Sequence, residues 1–302
     1  MRAVDLFAGW GGFTAGAHAA GVSVVWAGNH WKVAVDVHAS NHADVEHVCQ
    51  DLRQQDWSAL PLYDLLLAAP ACQGHSSASR SRRRPYHDAM RATAWAVIDC
   101  TEVTRPAAVL VENVPDFRAW ALYPLWLAAL RRLGYATSET IIRASHLGVP
   151  QRRDRLFITA TRGKRPIRLV VPEAVEPAFL PCIEWDAAGW RSVSVAQPKA
   201  RARIEAARAR FPRRSLVQHV TDHRGISLNE PIRTITAKDQ WIVVRGAEYR
   251  PLTLRELARG MGFAEGYTWP ANLPRWAVIR GLGNAVCPAV ACETVAQVAA
   301  AA

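Results

Sequence analysis

An apolar run of strand length, Ala3–Phe7, breaks into the turn Ala8-Gly9-Trp10-Gly11-Gly12, and a helical pattern over Phe13–Ala20 follows at once. Glycines let the backbone turn tightly and come close to a ligand at the following helix N-terminus, so this unit opens a parallel α/β sheet. A glycine-rich strand–helix turn is common to many nucleotide-binding folds and specifies no ligand by itself. The alternation continues. Val22–Trp26, Leu65–Ala69, Ala107–Val111 and Arg155–Thr161 read as strands, and Val33–Asn41, Met90–Thr104 and Ala119–Leu133 as helices. From about Pro166 prolines, tryptophans and arginines become frequent and the periodicity weakens. The expected organisation is an α/β domain over residues 1–165 and 279–302, with a smaller irregular domain over 166–278. The apolar stretch Ala285–Ala301 reads as a helix packing back on the first domain. There are no internal repeats.

No apolar run approaches the roughly 18 residues of a membrane span. Met1-Arg2-Ala3-Val4-Asp5 leads directly into the first strand without a signal-like apolar region. The expectation is a cytoplasmic protein with no membrane partner. Six cysteines (Cys49, Cys72, Cys100, Cys182, Cys287 and Cys292) are scattered with no CxxC pair, which argues against a zinc site or a disulfide scaffold. His38, His42 and His47 lie near Cys49, and the first two share a helix face. No ligand set completes them, so no metal is expected. The net charge of +11 over 302 residues points toward a polyanion, although an arginine-for-lysine composition bias would also raise it. The charge is concentrated in Arg80–Arg84 and Lys199–Arg214.

Two strand ends carry chemistry. Leu65–Ala69 runs into Pro70-Ala71-Cys72-Gln73-Gly74-His75-Ser76, which puts a cysteine at the carboxyl end of a buried strand, where α/β proteins place reactive groups. A lone cysteine is ordinarily a small buried hydrophobe. Ala107–Val111 runs into Glu112-Asn113-Val114, and Gln151-Arg152-Arg153-Asp154-Arg155 leads into the strand Leu156–Ile158. Further along stand Asn229-Glu230-Pro231-Ile232-Arg233-Thr234-Ile235-Thr236, the string Arg250-Pro251-Leu252-Thr253-Leu254-Arg255-Glu256-Leu257-Ala258-Arg259-Gly260-Met261-Gly262-Phe263, and Gly283-Asn284-Ala285-Val286.

Taken in order, these segments resemble the C5-cytosine DNA methyltransferase family. Asp5-Leu6-Phe7-Ala8-Gly9-Trp10-Gly11-Gly12 resembles its first motif, Cys72-Gln73 with Ser76 its nucleophile motif, and Glu112-Asn113-Val114 and Gln151–Arg155 the next two. The matches span Asp5 to Val286, with about 165–228 carrying no shared signature. Three departures stand out: Ala71 replaces the proline before the cysteine, His75 follows it in the loop, and His30 replaces the acid of the family's Asn-Glu.

The resemblance implies a Rossmann-like fold, a mixed and mostly parallel sheet with helices on both faces, plus a small target-recognition domain. It implies S-adenosyl-L-methionine held by Phe7, Ala8, Gly9, Trp10, Gly11, Gly12, Asn29, His30, Trp31, Asp51, Leu52, Pro70, Asn284 and Ala285. It implies catalysis by Cys72, Glu112, Arg153 and Arg155 on a cytosine flipped out of duplex DNA. DNA contacts are expected from Gln73, Ser76, Arg82, Arg83, Arg84, Gln151, Arg233 and Arg250. The chemistry accounts for the residue types: carbon 5 of cytosine is a poor nucleophile until a thiolate adds at carbon 6, and the base must leave the stack to be reached. A monomer on DNA is expected, and a cognate restriction endonuclease acting on the same site is a partner the resemblance allows. Three other readings share the motifs: a tRNA cytosine-5 methyltransferase, whose extra Cys-Phe-Thr signature is not found here; a catalytically silent DNA-binding regulator; and the same chemistry with an anionic analogue of the cofactor, prompted by His30.

Overall fold

A computed structural model describes residues 1–71, 92–163, 165–172, 174–220 and 223–302. The chain divides into two compact units: residues 1–143, 154–172 and 285–302 in one, and 144–153 with 173–284 in the other.

The first unit is built on a seven-stranded sheet. In chain order its elements are β1 (Arg2–Leu6), α1 (Gly12–Ala19), β2 (Ser23–Asn29), α2 (Lys32–Asn41), β3 (Glu46–Cys49), β4 (Leu65–Ala68), α3 (Trp95–Thr104), β5 (Ala108–Asn113), α4 (Tyr123–Arg132), β6 (Tyr135–Arg143) and β7 (Asp154–Arg162), followed by the C-terminal helix Pro288–Ala301. The spatial order is β3-β2-β1-β4-β5-β7-β6. The first five strands in that order are parallel, and β7 runs antiparallel to both β5 and β6. The chain moves outward from β1 on one side and then returns to place β4 on the other, so the switch point lies between β1 and β4. Open α/β sheets bind ligands at the carboxyl ends of the strands flanking such a point.

Burial explains the strands that the sequence shows clearly. Leu65, Leu66, Leu67 and Ala68 of β4 have no exposed surface, as expected of a central parallel strand covered on both faces. One face packs Val4, Leu6, Leu66, Val109, Val111 and Ile158 against Val97 and Cys100 of α3 and Trp126 and Leu130 of α4. On α1, glycine permits close approach to the C-terminal segment: a Cβ on Gly12 would lie 2.0 Å from the Val286 carbonyl oxygen, and one on Gly16 2.3 Å from the Ala291 Cβ. The edge strand β6 went unread because Tyr-Ala-Thr-Ser-Glu-Thr-Ile-Ile-Arg is half solvated and paired on one side only.

In the second unit a four-stranded antiparallel sheet joins Arg191–Ser192, Arg214–Gln218, Trp241–Arg245 and Glu248–Pro251. Helix Pro198–Arg210 packs Ile204 and Ala207 into its core. Helices Leu254–Gly260 and Arg275–Asn284 complete the unit. Thr253 and Glu256 form a reciprocal capping box at the start of Leu254–Gly260.

The boundaries differ from those expected at 165/166 and 278/279. Residues 165–172 stay with the first unit because Thr159 and Thr161 donate to the Ile167 and Arg165 carbonyls, and Val170 exchanges two hydrogen bonds with Gln297. Residues 144–153 count with the second unit because Gln151–Arg152 pairs in parallel with Ile232–Arg233. The stretch Arg275–Ala301 is long and apolar enough for a membrane span, with mean hydropathy 1.2. It is interrupted at 285–287, and the helices on either side, Arg275–Asn284 and Pro288–Ala301, belong to different units.

Candidate active site and cofactor loop

In the first unit the carboxyl ends of β1 to β4 gather the residues expected to hold a cofactor. The β1 turn has left-handed backbone at Phe7 (φ 61°), Gly9 (φ 55°) and Gly11 (φ 72°). The Ala8 amide donates to the Gly28 carbonyl at the end of β2, and the Ala69 amide to the Leu6 carbonyl, so the turn is tied to both flanking strands. Trp10, Gly11 and Gly12 are buried, while Phe7, Ala8 and Gly9 are half-buried. Asn29 is buried and its Oδ1 accepts from the Trp31 amide at the start of α2 (2.9 Å). His30 beside it is exposed. Asp51 caps the short turn at Leu52 and accepts from both the amide and the guanidinium of Arg53, which holds its carboxyl below the usual range. Leu52 is buried under Gly28, and Pro70 closes the end of β4. An apolar wall (Phe7, Leu52, Pro70) beside a polar edge (Asn29, His30, Asp51) suits a nucleoside, and glycines in the turn let backbone meet the remainder.

The candidate reacting groups sit at the ends of β4, β5 and β7. The register pairs Ala68 with Val111 and Glu112 with Phe157, so Glu112 and Asn113 emerge beside Pro70 and Ala71. The Asn113 side-chain amide donates to the Pro70 carbonyl (3.1 Å) and its Oδ1 accepts from the Val114 amide. Arg155, near the start of β7, places Nε 2.9 Å from Glu112 Oε1, with the two side chains 14% and 8% exposed. The Ala71 amide donates to Thr93 Oγ1 (3.2 Å), joining the chain on either side of residues 72–91. Cys72, Gln73, Ser76, Arg82, Arg83 and Arg84 lie outside the described residues.

In the second unit three expected site residues are buried and hydrogen-bonded within it. Gln151 was expected to touch DNA. It is fully buried, donates to the Gly260 carbonyl (2.9 Å) and accepts from the Ile235 amide (2.7 Å). Arg153, expected to be catalytic, is 2% exposed and donates to the carbonyls of Ile235 (3.1 Å) and Gly283 (3.0 Å). Arg250, another expected DNA contact, is 1% exposed, binds Glu256 through two nitrogens (2.6 and 2.8 Å) and lies over the Trp190 ring. The three arrangements share one physical cause: a buried guanidinium or amide must spend its donors locally. Together they lock the segments around 151–153, 229–236, 250–263 and 283 of this unit into one framework, and Gly283 is required where the Thr236–Ala237 backbone comes within 2.4 Å of its would-be Cβ.

Other residues of this unit remain at the surface. Arg233 and Asn284 are exposed, while Ala285, in the first unit, is buried. Arg210, Arg213 and Arg214 line an open cavity of about 650 Å³ with Phe211 and Asn229. Among the described residues no acidic side chain lines it, a setting that favours anions.

With this geometry in view, the comparisons decide the family. The profile of the C-5 cytosine-specific DNA methylases matches residues 1–184 and 186–300. The chain belongs to that family. Among its relatives are the type II methyltransferase M.HgiDI of Herpetosiphon aurantiacus, 31% identical over 170 residues (54% of this chain and 52% of the relative), and M.AgeI of Thalassovita gelatinovora, 32% identical over 177 residues (55% and 41%). The chain thus spans about half the length of the curated relatives it matches. A putative DNA modification methyltransferase encoded within an E. coli prophage shares the fold, with TM-score 0.72 at 19% identity over 99% of both chains. A Spodoptera frugiperda DNMT2 variant does so with TM-score 0.73 at 18% identity over 98% of both. In this member of the C-5 cytosine methylases, the residues missed from sequence are the partners of the visible motifs. Thr93 and Glu256 are two, and the chain of Thr14, His38 and His47 described below is another. Only the Thr253-to-Glu256 spacing carried a readable signal, as a capping box.

Proposed function

We propose that the protein is a DNA (cytosine-5-)-methyltransferase that uses S-adenosyl-L-methionine and forms a covalent adduct between Cys72 and carbon 6 of a flipped-out cytosine in duplex DNA. The observation that carries this reading is the nearly buried Glu112–Arg155 pair at the strand ends beside Pro70-Ala71, the two residues that lead into Cys72. The Cys72 thiolate adds to carbon 6, which makes the ring an enamine whose carbon 5 can accept a methyl group. Glu112 meets ring nitrogen 3 and moves a proton there as charge develops. Arg155 holds the Glu112 carboxyl in place and lies within reach of the ring oxygen at carbon 2. The cofactor supplies the methyl group as a sulfonium; Phe7, Leu52 and Pro70 bind its apolar surface, and Asn29, His30 and Asp51 its polar edge. Loss of the carbon 5 proton then expels the thiol.

On this reading Arg233 and the basic cavity of the second unit meet DNA phosphates or base edges. The protein works in the cytoplasm as a monomer on DNA, alongside a cognate restriction endonuclease with the same target site. The test is a duplex containing 5-fluorocytosine, incubated with protein and S-adenosylmethionine and resolved on a denaturing gel, with tRNA carrying the same base in a parallel lane. A duplex adduct is expected for the wild type and none for Cys72→Ala. An adduct on tRNA alone would reject the DNA assignment, and unchanged methylation by Cys72→Ala would reject the mechanism.

A further inference from the structure

Three consecutive hydrogen bonds connect a fully buried carboxylate to the surface of the first unit. Asp5 on β1 has no exposed area, and its Oδ2 accepts from Thr14 Oγ1 of α1 at 2.8 Å. Thr14 Oγ1 also lies 3.0 Å from His38 Nε2 on α2, and His38 Nδ1 lies 2.7 Å from Nε2 of His47 on β3, which is half-buried. A hydroxyl has one hydrogen. Because Thr14 gives it to Asp5, His38 Nε2 carries a hydrogen donated to Thr14, and His38 Nδ1 accepts from His47 Nε2. All the donors therefore point inward when Asp5 is ionised, and the same three contacts run outward when Asp5 is protonated and donates to Thr14. Among the described residues Asp5 Oδ1 has no hydrogen-bond partner.

The same cluster touches the candidate cofactor turn. Asp5 stands two residues before Phe7, Thr14 lies in the first turn of α1, and His42 reaches the Gly11 backbone. The His42 ring packs against His38 at 4.8 Å and against His18 at 5.3 Å. Thr14 of α1 faces Asp5, and the groups around His38 beyond it are His18 from α1, His42 from α2 and His47 from β3, with Asp44 beside His42 and His47. The strand neighbours Ala27 and Leu67 carry no charge, and Glu293 on the C-terminal helix is exposed and bonded to Gln297. Among the described residues no cation is paired with Asp5. Burial accordingly pushes its carboxyl up to about 7, and holds His38 and His42 neutral.

We propose that Asp5 is a positioning residue for the cofactor turn that gives up its proton when the sulfonium cofactor binds, and that Thr14, His38 and His47 carry this proton to solvent. The inference rests on the cofactor reading above. The transfer balances atom by atom. The Asp5 hydrogen passes to Thr14 Oγ1, the Thr14 hydrogen to His38 Nε2, the His38 Nδ1 hydrogen to His47 Nε2, and the His47 Nδ1 hydrogen to water. Before the transfer the protonated Asp5 donates to Thr14 and each bond points outward; afterwards each bond survives with its direction reversed, which is the inward-pointing arrangement of an ionised Asp5. An ionised Asp5 then lies in low dielectric beneath a turn that receives a cation, where the attraction is strongest.

The experiment is isothermal titration of the full chain with S-adenosylmethionine, and separately with S-adenosylhomocysteine, near pH 7 in buffers of different ionisation enthalpy. The ligand's own amino group acts alike on wild type and variant, so their difference isolates Asp5. Wild type should release roughly half a proton more than Asp5→Asn on binding S-adenosylmethionine, because a group titrating near 7 is half protonated there. The difference should shrink with the uncharged thioether. Thr14→Val, which keeps Asp5 but removes its donor, should move the maximal release to higher pH. In stopped-flow mixing with a pH-indicator dye, proton appearance should lag behind tryptophan-fluorescence binding in His38→Gln and coincide with it in wild type. Equal release by wild type and Asp5→Asn would overturn the linkage, and release without lag in His38→Gln would overturn the route. Failure of S-adenosylmethionine to bind at any pH would instead overturn the cofactor reading, and this inference with it.

Discussion

Glu112 and Arg155 meet across adjacent antiparallel strands, Oε1 to Nε at 2.9 Å, with both side chains almost removed from water. Glu112 projects near the end of β5 and Arg155 near the start of β7, two strands whose cores are fixed by burial. The pair is therefore rigid as well as charged. Glu112→Gln should keep the fold and lower the rate of methyl transfer by about 10²- to 10⁴-fold, the usual cost of removing a proton-transfer group. Arg155→Met should remove the ion pair from the buried Glu112 carboxyl and cost about 3–5 kcal/mol of stability. Single-turnover kinetics and urea unfolding of the two variants separate these effects.

Gly12 is the point where the N-terminal turn and the C-terminal motif touch. Its would-be Cβ falls 2.0 Å from the Val286 carbonyl oxygen, which is backbone and cannot step aside. Gly12→Ala should destabilise the protein by about 1–3 kcal/mol. Gly266→Ala, where the added carbon meets nothing within 4 Å, should stay within about 0.5 kcal/mol of wild type. Thermal unfolding of both variants checks the contrast.

Arg250 and Arg233 should separate cleanly. Arg250 is bound to the buried Glu256, so Arg250→Met should cost about 3–5 kcal/mol of stability and leave the salt dependence of DNA binding by the folded fraction unchanged. Arg233 is exposed, so Arg233→Ala should leave stability within about 0.5 kcal/mol and lower the slope of log affinity against log salt by about one phosphate contact. Urea melts and fluorescence anisotropy at several salt concentrations provide the measurements.

Stability should fall as pH drops from 6.5 toward 4. In that window the unfolded chain protonates His38 and His42, whose folded values are lowered to about 2 and about 4, so the unfolded state binds two more protons there. Asp5, raised to about 7, is protonated in the folded state and ionised in the unfolded one above 3.8, which contributes one proton in the opposite direction. The net over these three groups, one proton, corresponds to about 1.4 kcal/mol per pH unit, and His223, lowered to about 4, steepens the fall in the same direction. His38→Gln should flatten this dependence. Asp5→Asn should steepen it and gain stability above pH 7. Urea midpoints measured from pH 4 to 8 decide the signs.

The sequence by itself determined the parallel strands, the glycine turn and the order of motifs, because these rest on local requirements. A strand buried on both faces must be continuously apolar, as in Leu65–Ala68, and a turn through left-handed backbone calls for glycine, as at Gly9 and Gly11. It did not distinguish a reacting residue from a strut. Arg155 and Arg153 stand two residues apart in one charged run, yet Arg155 faces Glu112 while Arg153 donates into its own unit's interior. It also did not join Asp5 to Thr14, His38 and His47, which are brought together only when β1, α1, α2 and β3 pack. Which donors a buried polar group satisfies depends on neighbours distant in the chain, and that choice belongs to the tertiary structure alone.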